Sequence, residues 1–324
     1  SPAFVLNMEY STDGGTTWTP WTDPTQWLTI PKSAAYCFRG VNPQGFSNPN
    51  GVGYYYWDAY HSTAFSVSGD VMSLVCGDND RSTIPSDYCF YRTFAQDTEW
   101  KAQMQNNGLV LSATTLKKGC YSYMFAGCAS AGFATAPDFT VATNIPECAM
   151  MGMFQGCTKL TAVTALQHVT QIAAAGCDSM FVGCTALTQI MDMPNLKTIG
   201  SRGCAYMYTG CTALTAVPDM SVNDIADYGC YRTFYNCGKI ATIGNLSAKI
   251  IAENGCNEMF HYNVSITSVG NLKAQSLSKY ACYRMFANHQ SSSTVYYDVP
   301  SITIDQAGDS SCIEMFSAKS AGYG

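Results

Sequence analysis

Along most of this chain the apolar residues recur every third position. Phe154 is followed by Cys157, Leu160, Val163, Leu166, Val169 and Ile172, and Phe181 by Cys184, Leu187, Ile190, Met193, Leu196 and Ile199. A step of three matches neither the 3.6 of an amphipathic helix nor the 2 of a half-buried strand. It suits a chain that coils tightly, using short extended pieces and single helical or 3-10 turns that each turn one side inward. A phrase of Cys, then Met or Thr, then an aromatic marks each unit, ending at Phe94, Phe125, Phe154, Phe181, Tyr208, Phe234, Phe260, Phe286 and Phe316. The intervals between these aromatics are 31, 29, 27, 27, 26, 26, 26 and 30 residues. The expectation is a β-rich solenoid of nine coils over residues 81–324, roughly 40 Å long at strand-like spacing. No coil buries its apolar edge alone, so stability must come from stacking.

The first eighty residues lack the repeat. Met8–Trp21 reads as a strand, an Asp13-Gly14-Gly15 turn and a returning strand. Further strands are expected at 27–30, 35–40, 53–57 and 63–67, with Pro and Gly clusters as turns. Residues 1–80 therefore read as a small antiparallel, sandwich-like β domain. Ser1 reads as the start of a trimmed piece, and the polypeptide is expected to continue beyond Gly324.

Composition narrows the function. Charged residues are 12% of the chain, about half the usual share, aromatics are 13% with 21 Tyr, and the net charge is −6. No Lys/Arg cluster supplies the positive footprint that nucleic acid requires. No apolar run has the length of a membrane span. The chain also lacks the nucleophile elbow, the phosphate-cradling loop, the dinucleotide fingerprint and the His-Glu-x-x-His motif. The expectation is no catalysis and no cofactor.

Sixteen Cys invite a disulfide or metal reading. Five units carry a second Cys, giving Cys120/Cys128, Cys148/Cys157, Cys177/Cys184, Cys204/Cys211 and Cys230/Cys237. The first column reads as Cys in all nine copies, whereas the second becomes Asp97, Asn263, His289 and Lys319 in four. A compulsory bridge would strand the unmatched thiols. The ladder is therefore expected to be reduced, with both columns interior and Asn263 bonding neighbouring backbone. Metal-binding spacing is missing, and the His are scattered. Asp78-x-Asp80-x-Ser82 opens like a calcium loop but has Cys89 at the twelfth position, so an ordinary turn is expected.

Two sets of residues are binding candidates. Trp18, Trp21, Trp27, Tyr54, Tyr55, Tyr56, Trp57 and Tyr60 make an aromatic platform or, as the plainer alternative, cross-strand packing. Stacking would also align Thr161/Ala162, Thr188/Gln189, Thr215/Ala216, Ala241/Thr242 and Thr267/Ser268 as an uncharged stripe. Its plainer alternative is a solvated strand edge.

The unit Ile172…Met180-Phe181-Val-Gly-Cys184-Thr-Ala-Leu187-Thr-Gln-Ile190 and its counterparts resemble the BspA-like leucine-rich-repeat proteins. So do the pairs Gly127-Cys128, Gly156-Cys157, Gly183-Cys184 and Gly210-Cys211. The front segment, with Tyr10–Trp18 and Phe65–Leu74, is similar to the β segment that precedes such repeats in some members. The added Cys column and the drifting period depart from the pattern. The resemblance implies a leucine-rich-repeat solenoid in adhesion or surface recognition, with similar arrays carried on bacteriophage particles, and it brings no catalytic residues. The expected role is an extracellular module that binds a surface glycan or protein. The alternatives are a phage fibre or decoration protein that recognises a host, forming a homo-oligomer or larger assembly, and a self-assembling structural protein.

Overall fold

The computed structural model describes residues 6–23, 28, 30–31, 34–46, 65–95, 104–139, 142–287 and 301–316. At the front, the Asp13 carboxylate accepts the amides of Thr16 and Thr17 and the hydroxyls of Ser11 and Thr17. With left-handed Gly14 and Gly15, these bonds reverse the chain. Strand β1 (Met8–Ser11) consequently pairs antiparallel with β2 (Thr19–Trp21), and β3 (Cys37–Gly40) lies on its other side. Residues 27 and 29 and the segment 53–57, where further strands were expected, lie outside the described residues.

One expected strand belongs elsewhere. Strand β4 (Phe65–Asp70) runs parallel to β5 (Met104–Val110), so it joins the stack rather than an antiparallel domain. The antiparallel sheet instead caps the first coil. Buried Asn42 donates to the carbonyls of Asn7 and Leu74 and accepts the Asn7 amide, and the Phe46 ring lies 6.0 Å from Phe90. An apolar first coil facing water would cost far more than this cover.

Down the chain follow β6 (Asn144–Ile145), β7 (Gln171–Ile172), β8 (Thr198–Ile199), β9 (Ala216–Val217), β10 (Met220–Ser221), β11 (Asp224–Ile225), β12 (Thr242–Ile243), β13 (Leu246–Ile251), β14 (Ser268–Val269), β15 (Leu272–Leu277) and β16 (Ile302–Ala307). They form a parallel β-solenoid of about six turns with almost no helix. One ladder runs β6-β7-β8-β11-β13-β15-β16, with β10 also on β13, and a second wall holds β9-β12-β14. In the two-residue strands other than β10 the second side chain, such as Ile172, Val217 or Ile243, points inward.

The repeated phrase itself is neither strand nor helix. From Gly176 to Cys184 every second amide closes a local turn onto the carbonyl three residues back, as in Asp178 to Ala175 and Met180 to Cys177. The intervening amides of Ala175, Cys177, Ser179, Phe181 and Gly183 donate to the next coil, at Ser201, Gly203, Ala205, Met207 and Thr209. Such a ribbon needs a left-handed residue at every fourth position, here Ala175, Ser179 and Gly183. It turns Cys177, Met180, Phe181 and Cys184 inward, all fully buried. That geometry accounts for the Met-Phe doublet and for a period that fits no regular element. The expected single helical turns are thus replaced by a run of linked turns, and only Ala131–Phe133 forms a 3-10 turn among the described residues.

Phe94, Phe125, Phe154, Phe181, Tyr208, Phe234, Phe260, Phe286 and Phe316 stack face to face, with neighbouring ring centroids 5.2–5.6 Å apart. The cysteines need one correction. Matched by coil-to-coil hydrogen bonds, Cys177, Cys204, Cys230, Cys256 and Cys282 are equivalent, but the same position holds Met150, Tyr121 and Phe90 in the earlier coils. Cys148 takes the left-handed turn position, φ 54°, equivalent to Ala175. The first column is therefore not Cys throughout.

All sixteen thiols are free. In the second column the thiols of Cys128, Cys157, Cys184, Cys211 and Cys237 donate to the carbonyls of Phe94, Phe125, Phe154, Phe181 and Tyr208 in the preceding coil. Asn263 does the same through its amide, reaching Phe234 at 2.8 Å, and accepts the Cys237 amide. Asp97, His289 and Lys319 lie outside the described residues. Burial pushes Cys177 and Cys184 up to about 12, whereas a hydrogen bond with Cys282 brings half-buried Cys312 down to about 7. Native-state alkylation at pH 7.5 is expected to label Cys312 well before Cys177 or Cys184; equal labelling by peptide mass mapping would contradict this.

Candidate functional site

The proposed stripe lies on the wall that carries β9, β12 and β14. Ala216, Thr242 and Ser268 are in register, and Thr135 bridges Ala162. Among the described residues, two coil junctions on this wall are closed by paired amide bonds. Ala241 and Gly244 donate to Thr215 and Val217, and Thr267 and Gly270 donate to Ala241 and Ile243. Thr161, Thr188 and Thr267 also return their hydroxyl protons to the carbonyls of Ala134, Thr161 and Ala241.

Between Thr188–Met191 and β9 the ladder is broken. Pro218 occupies the position of Gly244 and Gly270 and has no amide to give Ile190. Among the described residues, no bond joins the Thr215 amide to Thr188 either. The Met191 amide turns inward and donates to the Tyr208 hydroxyl at 3.0 Å. Tyr208 is the one hydroxylated ring in the stack, and that hydroxyl would be costly to bury without a partner.

The break opens a groove of about 540 Å³ lined by Thr188, Gln189, Ile190, Thr215, Ala216, Val217, Pro218, Thr242, Ile243 and Gly244. Four of the sequence-predicted residues, Thr188, Gln189, Thr215 and Thr242, meet here, while Thr161 and Thr267 lie on the same wall outside it. The groove has no charged side chain. Pro218 creates it and was not marked by sequence reasoning. Its signal is a Pro at a ladder position.

The aromatic candidates separate. Arg39 covers the Trp18 ring at 4.1 Å and pairs with Glu9, while Trp21 packs against Phe38 at 6.2 Å. Both are used in sheet packing. Trp27, Tyr54, Tyr55, Tyr56, Trp57 and Tyr60 lie outside the described residues. Asp80 accepts the amide and hydroxyl of Ser82, an ordinary Asx turn. Among the described residues no cluster of three His, Cys, Asp or Glu is arranged to hold a metal ion.

Sequence reasoning missed a second surface on the turn wall. Arg232 lies over Tyr231 and Tyr235 at 5.1 and 4.9 Å, and its Nε meets Glu258 at 2.5 Å. Tyr206 and Tyr228 meet Tyr231 edge-on, and Tyr262 meets Tyr235. The recurring Cys-Tyr-Arg in Cys230 and Cys282 was its signal. Arg202–Asp178 and Arg284–Glu314 repeat the pairing, so the guanidinium charge is matched locally.

Burial alone would raise the Glu258 carboxyl, but hydrogen bonds from His261 and Arg232 outweigh it and hold it at about 2, below its ordinary 4.5. A depressed folded value means that this stabilisation is present above pH 4.5 and is lost as pH falls toward 2. Glu258→Gln is expected to flatten that acid limb by up to about 3 kcal/mol, read from urea midpoints between those pH values. An unchanged limb would place acid sensitivity elsewhere.

No family model, curated protein or solved structure matches this chain.

Proposed function

We propose that the chain is a non-catalytic recognition module that works outside a cell and binds a surface glycan or protein. In this reading it is a BspA-like leucine-rich-repeat protein with nine coils, one for each ring of the stack. The observation that carries the proposal is the uncharged groove at Thr188, Gln189, Thr215 and Thr242. A solvated wall with no role would keep its ladder closed, as the two junctions that follow it do. The Tyr and Arg surface around Arg232 favours a second reading, in which the protein is part of a virion or another surface assembly. Preorganised Tyr and Arg are the side chains most enriched where proteins meet.

The test is saturable binding of labelled protein to intact bacterial cells and to their separated surface glycan and protein fractions. Thr188→Lys, Thr215→Lys and Thr242→Lys combined are expected to reduce binding at least tenfold. Absence of saturable binding to any of these would overturn the recognition reading. Loss of binding or assembly only on Tyr231→Ala with Tyr235→Ala would favour the assembly reading.

A further inference from the structure

We infer that the groove beside β9 takes an uncharged glycan, and that Pro218 is the residue that holds it open. The inference rests on the recognition reading and adds the ligand class and the device that shapes the site.

Where coils pair normally, backbone groups satisfy one another and a ligand finds little to bond. At the break, the Ile190 carbonyl lacks the donor that Pro218 cannot supply, and the Thr215 amide has no acceptor among the described residues. The Thr215 and Thr242 hydroxyls make none of the downward bonds that occupy Thr161, Thr188 and Thr267. Gln189, exposed at the rim, contributes both an amide donor and a carbonyl acceptor. The groove therefore offers interleaved donors and acceptors on two adjacent coils. A hydroxyl both donates and accepts, so a polyhydroxylated ligand satisfies the whole set. An apolar ligand satisfies none of it, and an ionic one loses hydration with no countercharge to meet it.

Ile190 and Pro218 add a partly exposed apolar edge for the C–H face of a sugar ring. About 540 Å³ falls within the range of small-molecule sites. Pro218 keeps the site formed, because it has no amide to give the Ile190 carbonyl. An amide at position 218 would let the ladder close.

Isothermal titration of the full chain would use uncharged glucose-, mannose-, galactose- and N-acetylglucosamine-based oligosaccharides, with sulfated and sialylated chains beside them. Uncharged chains are expected to bind, and Thr215→Val with Thr242→Val to weaken them at least tenfold without changing the melting temperature. Pro218→Ala is expected to weaken binding while raising the melting temperature, a pairing that a merely structural role would not give. Preference for anionic chains, unchanged binding by the Thr and Pro variants, or no sugar binding would overturn the glycan assignment. If cells are still bound in those cases, recognition stands and only the ligand class falls; if cells are not bound, both fall.

Discussion

Replacing Phe181 by Ala is expected to cost about 3–5 kcal/mol and to split one unfolding transition into two. The ring is fully buried between Phe154 at 5.5 Å and Tyr208 at 5.2 Å, so its loss leaves a cavity with partners on both sides. In a globular core such damage lowers the stability of the whole. In a stack each coil touches only its neighbours, and a weakened junction uncouples the coils before it from those after it. Phe316→Ala, at the last ring of the stack, is expected to melt its own coil early and leave the main transition near its original midpoint. Urea unfolding followed by near-ultraviolet circular dichroism and hydrogen exchange distinguishes the two variants. A single cooperative transition for Phe181→Ala, shifted as a whole, would contradict nearest-neighbour stability.

The second large effect is expected from one methyl group. A Cβ on Gly270 would lie 2.5 Å from the Gly244 carbonyl carbon and 2.6 Å from the Asn245 amide nitrogen. Both are backbone atoms of the coil beneath, so no side chain can swing aside. Gly270→Ala must lift its coil and stretch the 2.7 Å bond from the Gly270 amide to the Ile243 carbonyl. The expected loss is about 3 kcal/mol, at the upper end of overpacking costs. Gly238→Ala is the control, since its Cβ would meet only Val264 at 3.9 Å, and it is expected to change stability little. Equal midpoints for the two variants in urea would mean that the coils do not touch as closely as these distances state.

The stacking of rings was legible because the aromatic interval is a property of the sequence, and Phe154, Phe181 and Tyr208 are vertical neighbours as that interval requires. The linked-turn ribbon was not legible. Its left-handed positions are occupied by Ala175, Arg202, Tyr228 and Glu258 as readily as by Gly152, so no residue type announces them. The Cys register was misread for a related reason. Cys89, Cys120 and Cys148 keep the residue but shift its position by one or two places, and only coil-to-coil hydrogen bonds reveal the shift. At the candidate site, the residue pairs between inward positions of successive coils marked the right wall. The groove itself depends on an absent amide at Pro218, which a search for shared features passes over as an exception. β4 was drawn into the antiparallel unit because an isolated strand pattern carries no information about its partner's direction.

The linked turns and the amides flanking β7, β8, β11, β12 and β14 point in opposite senses along the stack. Cys177 and Phe181 donate toward the C-terminal coils, whereas Lys197 and Gly200 donate toward the N-terminal ones. Peptide dipoles on one wall therefore oppose those on the other. A long α-helix accumulates about half a charge at each end, but this rod gains little axial polarity as coils are added.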